Sequence, residues 1–452
     1  MTRQGSILVG VLWCMVLLSV MVIGVLHTAR MDLQVVKNYG DRIQAHYLAL
    51  AGVERAKALI FQDVITRQGT AKNHSGSLYN DAKDFKNVSL GRGKFQVFHR
   101  ASQEEGGAII YGISDEESRL NVNTAQPNQL TNLAGMTTDI LNDIVGWRTP
   151  ATPAQQGAGQ QQGGGANSDY YMSLKPPYLP RNGPFQTVRE LLMVRGVNSG
   201  LLFGNDQNQN GFLDSDEDSA TSDLPGAKRP LPPSPGWAAL LTVTDTDKDV
   251  DASGKDRINP QTADETALTG IPGITQDIAR AIVSYRGQNA FTSLDDLLSV
   301  TPQNQNQNQQ NQQGGNQQNN SGATVINQDL LEQIADQLTL AGGTDSSGLI
   351  NVNTASLDVL ISLPGVDRTL AQAIINYRKS TGYFDNVAGI LKVDGMTRAI
   401  FKQVVPLITS RSETYRIICE GKINSSGTVQ RIESIVHIGR EDVETLAYRE
   451  DL

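Results

Sequence analysis

The chain has 452 residues, of which 39% are hydrophobic and 19% charged, and its formal net charge at pH 7 is −9. A chain of this length is expected to form two to four domains with hydrophobic cores. The acidic balance argues against extensive nucleic-acid binding, which favours basic chains. The two cysteines, Cys14 and Cys419, belong to an apolar N-terminal run and to the last domain, so no disulfide is predicted between them.

An apolar segment without charged residues opens the chain. Residues 6–26, SILVGVLWCMVLLSVMVIGVL, follow the short leader MTRQG. At about 1.5 Å per residue, this segment is long enough to cross a bilayer as a helix. No proline precedes Pro127, and apolar residues continue past the segment with a 3.6-residue period, at Val36, Tyr39, Ile43, Tyr47 and Leu50. One helix is therefore predicted from Ser6 to about Asp63.

Two simpler interpretations of this segment are a secretory signal and a plain single-span anchor. A signal peptide has a shorter apolar core and a small-x-small cleavage site, whereas this run ends in Leu26-His27-Thr28-Ala29-Arg30. Neither interpretation explains an amphipathic helix that continues beyond the membrane surface. The positive charges on the two sides of the span leave its orientation undecided.

Short strand patterns occur towards both ends of the chain. Residues 93–99 (GKFQVFH) and 108–113 (AIIYGI) flank a glycine-containing turn, and residues 414–422 and 429–437 flank NSSG. Strands so far apart in sequence predict one antiparallel sheet packed on the N-terminal helix, with the middle of the chain as an insertion. Gln-, Gly- and Asn-rich tracts at 155–168 and 303–322 are predicted to be disordered linkers, and a prion-like aggregation role is the less favoured alternative.

A motif is repeated three times in the middle of the chain, at 121–125 (NVNTA), 259–263 (NPQTA) and 351–355 (NVNTA). In each copy a glycine follows the threonine by 11 residues, and an arginine preceded by an aromatic residue follows that glycine by 13. The glycines and arginines are Gly135, Gly273, Gly365, Arg148, Arg286 and Arg378. In the third copy Thr354 is predicted to cap a short helix that ends at Leu363. Each glycine then forms a turn into a second helix, a pattern that resembles the tandem helix-hairpin-helix fold.

Nucleic-acid-binding members of that fold hold a phosphate on the backbone amides of the hairpin turn, as helix N-termini do. Here Asp139, Asp277 and Asp367 follow the turns and would repel phosphate. A mild cationic excess occurs only in the third copy, from Arg368, Arg378, Lys379, Lys392, Arg398 and Lys402. A protein-binding head is therefore favoured, and a membrane-anchored DNA receptor for uptake is the alternative.

A calcium loop is predicted between the first and second copies. Residues 206–217, DQNQNGFLDSDE, fit the twelve-position EF-hand loop, with glycine at the sixth position and glutamate at the twelfth. The predicted Ca²⁺ ligands are Asp206, Asn208, Asn210, the carbonyl of Phe212, Asp214 and Glu217. No long helix follows this loop, which is typical of a half EF-hand with an affinity on the order of 10⁻⁴ to 10⁻³ M. A solvated acidic turn is the other interpretation.

A weaker candidate cation site consists of four alternating aspartates, Asp245, Asp247, Asp249 and Asp251. Alternation can place their carboxylates on one side of an extended loop, although a solvated run of charge fits equally well. The five histidines are scattered along the chain, and the sequence contains no G-x-S-x-G, H-E-x-x-H or P-loop motif. No enzymatic activity is expected.

The N-terminal segment resembles those of type IV pilins and type II secretion pseudopilins, most closely the minor pseudopilin K (GspK) type. The residues that carry this resemblance are the leader ending in Gly5, Val11-Leu12-Trp13, the segment 49–56 (ALAGVERA) and the run 115–123 (DEESRLNVN). The resemblance implies cleavage by prepilin peptidase between Gly5 and Ser6. Most pilins have a glutamate at the fifth mature position, here Gly10, and K-type members lack it and are taken to sit at the pseudopilus tip.

The resemblance further implies a single-pass inner-membrane protein whose bulk lies in the periplasm. Its implied partners are minor pseudopilins I and J, the major pseudopilin below the tip and prepilin peptidase, with secreted substrates or the outer-membrane secretin as further candidates. The implied fold is α+β, a pilin-like sheet on the long helix with a large inserted helical domain. A third helix-hairpin-helix copy and two Gln-rich linkers depart from the simpler family pattern.

The predicted division of the chain follows from these features. In order it comprises a leader (1–5), the transmembrane and stem helix (6–63), the first part of the pilin-like domain (64–118), repeat 1 with its insertion (119–204), the calcium-loop insertion (205–256), repeat 2 (257–302), a Gln/Asn-rich linker (303–325), repeat 3 (326–411) and the C-terminal strands of the pilin-like domain (412–452).

Overall fold

A long N-terminal helix packs on an antiparallel sheet in the computed structural model of the chain, and a helical head is inserted between the strands of that sheet. The structure describes residues 4–70, 77–101, 108–150, 168–206, 209, 236–302, 324–342, 345–440 and 442–450. The predicted α+β class, with a long helix, an antiparallel sheet and an inserted helical region, is confirmed.

Helix α1 (Gln4–Thr70) is 67 residues long and therefore extends about 100 Å. It ends seven residues beyond the predicted end at Asp63. Among the described residues, α1 is the one helix whose length and apolar composition would allow it to cross a membrane. Its apolar first part is exposed, whereas its second part packs on the sheet through Ala49, Val53, Ala56, Ile60 and Val64.

Of the large apolar residues that predicted the amphipathic part of α1, Leu50 packs against the core, whereas Val36, Tyr39, Ile43 and Tyr47 are exposed. Val36 and Tyr39 are each 67% exposed and Tyr47 is 62% exposed. The buried face carries small residues because helix and sheet approach closely. A Cβ added at Gly52 would collide with the Cys419 side chain, and one added at Gly421 with the backbone of α1. The apolar period was correctly predicted, but the sheet covers a different face.

The main sheet has the strand order β1 (Val88–Leu90), β2 (Gly93–Val97), β12 (Thr414–Ile423), β13 (Val429–Ile438) and β14 (Val443–Arg449). Strand β5 (Ser114–Asp115) also pairs with β12. Its pairs are antiparallel, and the predicted C-terminal hairpin is confirmed in register from Thr414 opposite His437 to Lys422 opposite Val429. The predicted pairing of 93–99 with 108–113 is limited to β3 and β4, because β2 pairs with β12 instead. The strands are β1 Val88–Leu90, β2 Gly93–Val97, β3 His99–Arg100, β4 Ile109–Ile110, β5 Ser114–Asp115, β6 Leu120–Asn121, β7 Leu241–Thr242, β8 Asp247–Lys248, β9 Asp345–Ser346, β10 Ile350–Asn351, β11 Ile408–Thr409, β12 Thr414–Ile423, β13 Val429–Ile438 and β14 Val443–Arg449.

The head consists of short helices around one apolar core that extends from Leu120 to Ile408. Three 3₁₀ helices of six residues, Val188–Met193, Leu294–Ser299 and Val387–Lys392, each open a second hairpin. The α-helices after α1 are α2 Ala82–Phe85, α3 Pro127–Leu130, α4 Thr138–Arg148, α5 Ser168–Met172, α6 Ser199–Phe203, α7 Glu265–Thr269, α8 Gln276–Arg286, α9 Gln328–Ile334, α10 Leu357–Ile361, α11 Arg368–Thr381 and α12 Arg398–Val404.

Each repeat is closed by a parallel pairing between the strand that enters it and the strand that leaves it. Strand β6 pairs with β7 in repeat 1, Ile258 bridges to Leu338 in repeat 2, and β10 pairs with β11 in repeat 3. We therefore place the ends of the first two units later than the ranges 119–204 and 257–302. Repeat 1 extends to Thr242, and repeat 2 takes in α9, which follows the Gln/Asn-rich segment.

Candidate functional site

The repeated residues of the three copies hold each unit together. In repeat 3, the Arg378 guanidinium donates to the carbonyls of Val352 (3.1 Å) and Ala355 (2.8 Å). The equivalent Arg148 and Arg286 donate in the same way to carbonyls of their own N-terminal motifs. The strict spacing from motif to arginine therefore has a structural cause.

Two further kinds of contact recur. The Asn353 amide donates to the carbonyls of Phe384 (3.0 Å) and Ser410 (2.7 Å), and its oxygen accepts from the Phe384 amide (2.7 Å). This first kind is the same for Asn123 of repeat 1, while Gln261 takes the position in repeat 2 and accepts the Phe291 amide. The aromatic residue before each arginine stacks on the phenylalanine of the second hairpin, with ring centroids 5.0 Å apart for Tyr377 and Phe384. The same stacking joins Trp147 to Phe185 and Tyr285 to Phe291. These side chains are therefore committed to packing.

The predicted hairpin turns occur at all three glycines. Gly135, Gly273 and Gly365 have φ angles of +77°, +101° and +76°, a left-handed conformation that favours glycine. Each turn packs against the first turn of the last helix of its own unit, where an added Cβ would contact Leu201, Leu330 and Ile400 respectively. Two hairpins thus form one unit in every copy.

Three of the six cations of repeat 3 have acidic partners within the head. Lys402 Nζ lies 2.6 Å from Asp296 Oδ1, and Arg398 Nε lies 3.0 Å from Asp295 Oδ1, so α12 is tied to the 3₁₀ helix of repeat 2. Lys392 Nζ likewise lies 2.6 Å from a carboxylate oxygen of Glu332 on α9. These ion pairs join repeats 2 and 3.

The first hairpin turn of repeat 3 carries an acidic cap. The Asp367 carboxylate accepts the Leu370 amide at 2.8 Å and so occupies the helix N-terminus where a phosphate would bind. At the equivalent turn of repeat 2, the Asp277 carboxylate is 93% exposed. Both features disfavour a polyanion at these turns, as the sequence predicted.

Most of the predicted EF-hand loop falls outside the described residues. Asp206 is described and buried, whereas Asn208, Asn210, Phe212, Asp214 and Glu217 are not described. The loop nevertheless has a defined position in the chain. It follows α6, the last helix of repeat 1, and precedes β7, the strand that closes this repeat. The calcium loop therefore remains a prediction.

The four alternating aspartates have different surroundings. Asp249 lies 3.2 Å from Arg257, and Asp251 accepts from the amides of Ser253 and Lys255 in its own turn. Asp245 Oδ1 accepts from Asn121, Ser347 and Gly348, whereas Asp245 Oδ2 is buried without a hydrogen-bond partner. Asp247 Oδ1 is also buried without one. Of the four, Asp245 and Asp247 each have a buried oxygen without a hydrogen-bond partner.

A buried acidic run that the sequence did not identify as a site lies between the head and the sheet. The Glu116 carboxylate accepts from Arg416 of β12 (2.7 Å) and Arg119 (2.7 Å). Glu117 Oε1 accepts the amides of Glu413 and Thr414, and Asp115 Oδ2 accepts from Asn351 of repeat 3 (2.8 Å). The signal in the sequence was the run DEESRLN itself, which connects three parts of the fold.

Burial gives the carboxyl groups of this region unusual pKa values. Burial raises the pKa of Asp115 to about 6, and burial together with Glu413 raises the pKa of Asp247 to about 7. The pKa of Glu117 is raised well above its usual range by burial and then by Asp247. For Glu116, Arg416 and Arg119 outweigh burial and lower the pKa to about 2.

A cation would be favoured by the unpaired oxygens of Glu117, Asp245 and Asp247. Each of these residues keeps one buried carboxylate oxygen without a hydrogen-bond partner. Yet among the described residues, no three Asp, Glu, His or Cys side chains come together in an arrangement that could hold a metal ion. The donor chemistry suits Ca²⁺, and the described geometry does not form a complete site.

The predicted processing site lies at the start of α1. Gly5 and Ser6 are both within the helix, and Gly10 has open space around its Cα. The exposed apolar surface of α1 continues from this region through Tyr39 to Tyr47. The helix therefore presents an exposed apolar surface that the described part of the chain leaves uncovered.

Comparison with known families matches two parts of the chain. The family model for type II secretion system protein K matches residues 118–202. The model for the helix-hairpin-helix motif matches residues 253–313 and 345–409. The first match lies on repeat 1 of the head, and the second lies on repeats 2 and 3.

Comparison with individual proteins gives partial matches. An endonuclease/exonuclease/phosphatase family domain-containing protein 1 from Mus musculus is 29% identical over 157 residues, which are 33% of this chain and 27% of that protein. ComE operon protein 1 of Bacillus subtilis (strain 168) is 37% identical over 82 residues, 17% of this chain and 40% of that protein. The chain thus spans about a quarter of the length of the first of these relatives.

Among solved structures, the GspK-GspI-GspJ complex from the enterotoxigenic Escherichia coli type 2 secretion system contains a similar chain. The match has a TM-score of 0.44 and 11% identity, and it covers 90% of this chain and 97% of the other.

Proposed function

Because this chain is a GspK-like protein with helix-hairpin-helix repeats, we propose that it is a minor pseudopilin of a type II protein secretion system. In this role it caps the tip of the pseudopilus together with I- and J-type minor pseudopilins during export of folded proteins from the periplasm. It is a structural component and not an enzyme. The match to the nuclease-family relative covers too little of that protein to bring its activity to this chain.

The observation that carries the proposal is the uncovered apolar surface of α1. One face of the helix packs on the sheet through small residues, while Val36, Tyr39 and Tyr47 on another face are more than 60% exposed beyond the span. Exposed large apolar residues in a continuous row favour burial against a partner. Parallel N-terminal helices of neighbouring pseudopilins are the proposed partners, with the major pseudopilin below.

The N-terminal end of α1 supports a position of this subunit at the tip of the pseudopilus. A carboxylate within the membrane is costly unless it is paired, and Gly10 stands where a pilin glutamate would neutralise the amine of another subunit. A subunit with no subunit above it does not need this carboxylate. Prepilin peptidase would process the chain at Gly5 and Ser6, leaving α1 in the inner membrane and the head in the periplasm.

Two measurements test this proposal. Mass spectrometry of the membrane-extracted protein should find an N-methylated Ser6 as the first residue, and an intact Met1 or cleavage after Ala29 would contradict it. Tyr39→Asp should then reduce co-purification with the I- and J-type minor pseudopilins, while Leu90→Asp, at a residue 49% exposed on strand β1, should not.

The alternative is a membrane-anchored helix-hairpin-helix DNA receptor. The similarity to ComE operon protein 1 favours it, whereas the ion pairs of Arg398, Lys402 and Lys392 oppose it. A steep decrease in duplex DNA affinity with salt, together with no association with I- and J-type partners, would favour the receptor.

We also propose that Ca²⁺ has a structural role in the head. The EF-hand sequence at 206–217 supports this, and an ion there would stabilise the connection between α6 and β7. Asp245 and Asp247 are the second candidates, since each keeps a buried unpaired oxygen, whereas Asp249 and Asp251 have other partners.

A further inference from the structure

The 3₁₀ helices of repeats 2 and 3 are each covered by a helix of the other repeat. Helix α12 of repeat 3 lies on Leu294–Ser299, where Lys402 and Arg398 contact Asp296 and Asp295. Helix α9 of repeat 2 lies on Val387–Lys392, where the Asn386 amide donates to the Glu332 carbonyl at 2.7 Å. In two of the three copies this element therefore binds a helix of another repeat, whereas in repeat 1 it contacts α6 of its own unit.

Repeat 1 has the same element in a different state. Its 3₁₀ helix, Val188–Met193, begins three residues after Phe185, as the other two begin three residues after Phe291 and Phe384. By this alignment Leu192 corresponds to Leu298 of repeat 2. Leu192 is 40% exposed, whereas Leu298 is 5% exposed. Leu391, at the same position in repeat 3, is half-buried, so among the described residues this position is most exposed in repeat 1.

More apolar side chains extend this surface of repeat 1. Met193 is 40% exposed, Met172 is 52% exposed and Leu179 is 66% exposed. The loop that carries Leu179 is held against the 3₁₀ helix, because the Tyr178 hydroxyl donates to the Met193 carbonyl at 2.8 Å. We call Met172, Leu179, Leu192 and Met193 the repeat 1 apolar face. Methionines at such a density are typical of surfaces that adapt to a partner.

The charges beside the repeat 1 apolar face indicate the sign of the charge that its partner carries. Arg181 and Arg195 are 37% and 38% exposed, while their partners Glu190 and Asp143 are 7% and 1% exposed. The cations therefore face solvent and the carboxylates lie beneath them, and Lys175 adds another exposed cation. A second copy of this chain would bring the same cations against this rim and would be repelled.

We propose that the repeat 1 apolar face binds an acidic amphipathic helix of another protein. The helix that plays this part inside the chain is α9, whose segment 326–338, INQDLLEQIADQL, carries Asp329, Glu332 and Asp336 and no cation. Its apolar side faces the head and Glu332 contacts Lys392. The partner helix would place apolar residues over Leu192 and Met193 and carboxylates near Lys175 and Arg181.

The probe for the test is a stapled, fluorescein-labelled helical peptide with the sequence of residues 326–338. Its binding to the detergent-solubilised full-length chain is measured by fluorescence anisotropy. Leu192→Asp should weaken binding at least 10-fold, and Leu90→Asp, the matched exposed leucine on strand β1, should leave it unchanged. A peptide with Asp329, Glu332 and Asp336 replaced by Lys should bind at least 10-fold more weakly to the wild-type chain.

Thermal unfolding first checks that each variant keeps its structure. If Leu192→Asp does not, Lys175→Glu provides the second variant and should weaken binding of the acidic peptide about 3-fold or more, as expected for an exposed charge. The proposal is overturned by no saturable binding below about 1 mM, by equal binding of the two peptides, or by equal binding to wild type and Leu192→Asp. Sedimentation that finds a dimer dependent on Leu192 would identify a second copy as the occupant and would also overturn it.

Discussion

Arg378→Ala should strongly destabilise repeat 3. Arg378 is 9% exposed and donates to two carbonyls of the N-terminal motif, those of Val352 and Ala355. Hydrogen bonds to charged groups contribute about 1.5 to 3 kcal/mol each, and the variant leaves both carbonyls without their donor. The expected loss of unfolding free energy is about 3 to 5 kcal/mol, which places it in the range of broken buried networks.

Arg378→Lys separates the role of charge from that of geometry. An ammonium keeps the charge but lacks the planar fork that reaches two carbonyls, so a loss of about 1 to 2 kcal/mol is expected. The matched control is Arg280→Ala on α8, because Arg280 is 43% exposed and its carboxylate partners lie 3.6 and 3.8 Å away. Such surface pairs contribute about 0 to 1 kcal/mol.

The assay is hydrogen exchange of the detergent-solubilised full-length chain, read by mass spectrometry on peptides from residues 350 to 411. Local exchange reports the opening free energy of one unit within a larger protein. Arg378→Ala should accelerate exchange in these peptides by about 100-fold or more, while peptides of the stem helix remain unchanged. If Arg378→Ala lies within about 1 kcal/mol of Arg280→Ala, the arginine is not the residue that closes the unit.

Three further predictions concern cations, protons and the contact between repeats 2 and 3. Millimolar Ca²⁺ should raise the melting temperature of the wild-type chain and not that of Glu217→Ala; no rise in the wild type would remove the calcium proposal. In chelator, the contribution of Asp115 to stability should fall by about 2 kcal/mol as the pH rises from 4 to 7, because its folded-state pKa of about 6 lies above its unfolded value and the native state therefore keeps the proton to a higher pH. The stability difference between the wild type and Asp115→Asn should change by that amount over this pH range, and a difference that does not change with pH would contradict the assignment. A double-mutant cycle of Asp296→Asn with Lys402→Met should give a stabilising coupling that exceeds the experimental error, and zero coupling would mean that this ion pair does not join the two repeats.

The sequence predicted those features that depend on local spacing. The three glycines lie in left-handed turns, and each arginine is the eleventh residue of the helix that begins three residues after its glycine. The C-terminal hairpin was likewise predictable from two alternating runs around NSSG. In these cases a single stretch of chain contains all the residues that determine the structure.

Features that depend on contacts between distant segments were not predicted. Helix α9 belongs to repeat 2 although a long Gln/Asn-rich segment precedes it, as its packing on Gly273 and the bridge from Ile258 to Leu338 show. Thr354 was predicted as an N-cap, but Ser356 caps α10 and the Thr354 hydroxyl instead donates to Asp115. Strand β14 and the buried face of α1 were also missed, because the sheet that selects them is assembled from both ends of the chain.

The assembly of one sheet from both ends of the chain has a consequence for the order of folding. Strand β2 pairs with β12, and Cys419 lies opposite Val97, so this pairing must close a loop that contains the whole head. Loop closure costs more entropy for a longer unfolded loop, and contacts this distant in sequence form slowly. If the head folds first, the loop becomes shorter, because the Glu116 amide then already donates to the Thr414 carbonyl (3.1 Å) where the head joins the sheet. Formation of the pilin-like sheet during biogenesis would accordingly depend on a correctly folded head. A chain with a misfolded head would leave the sheet-facing side of its stem helix exposed to proteolysis.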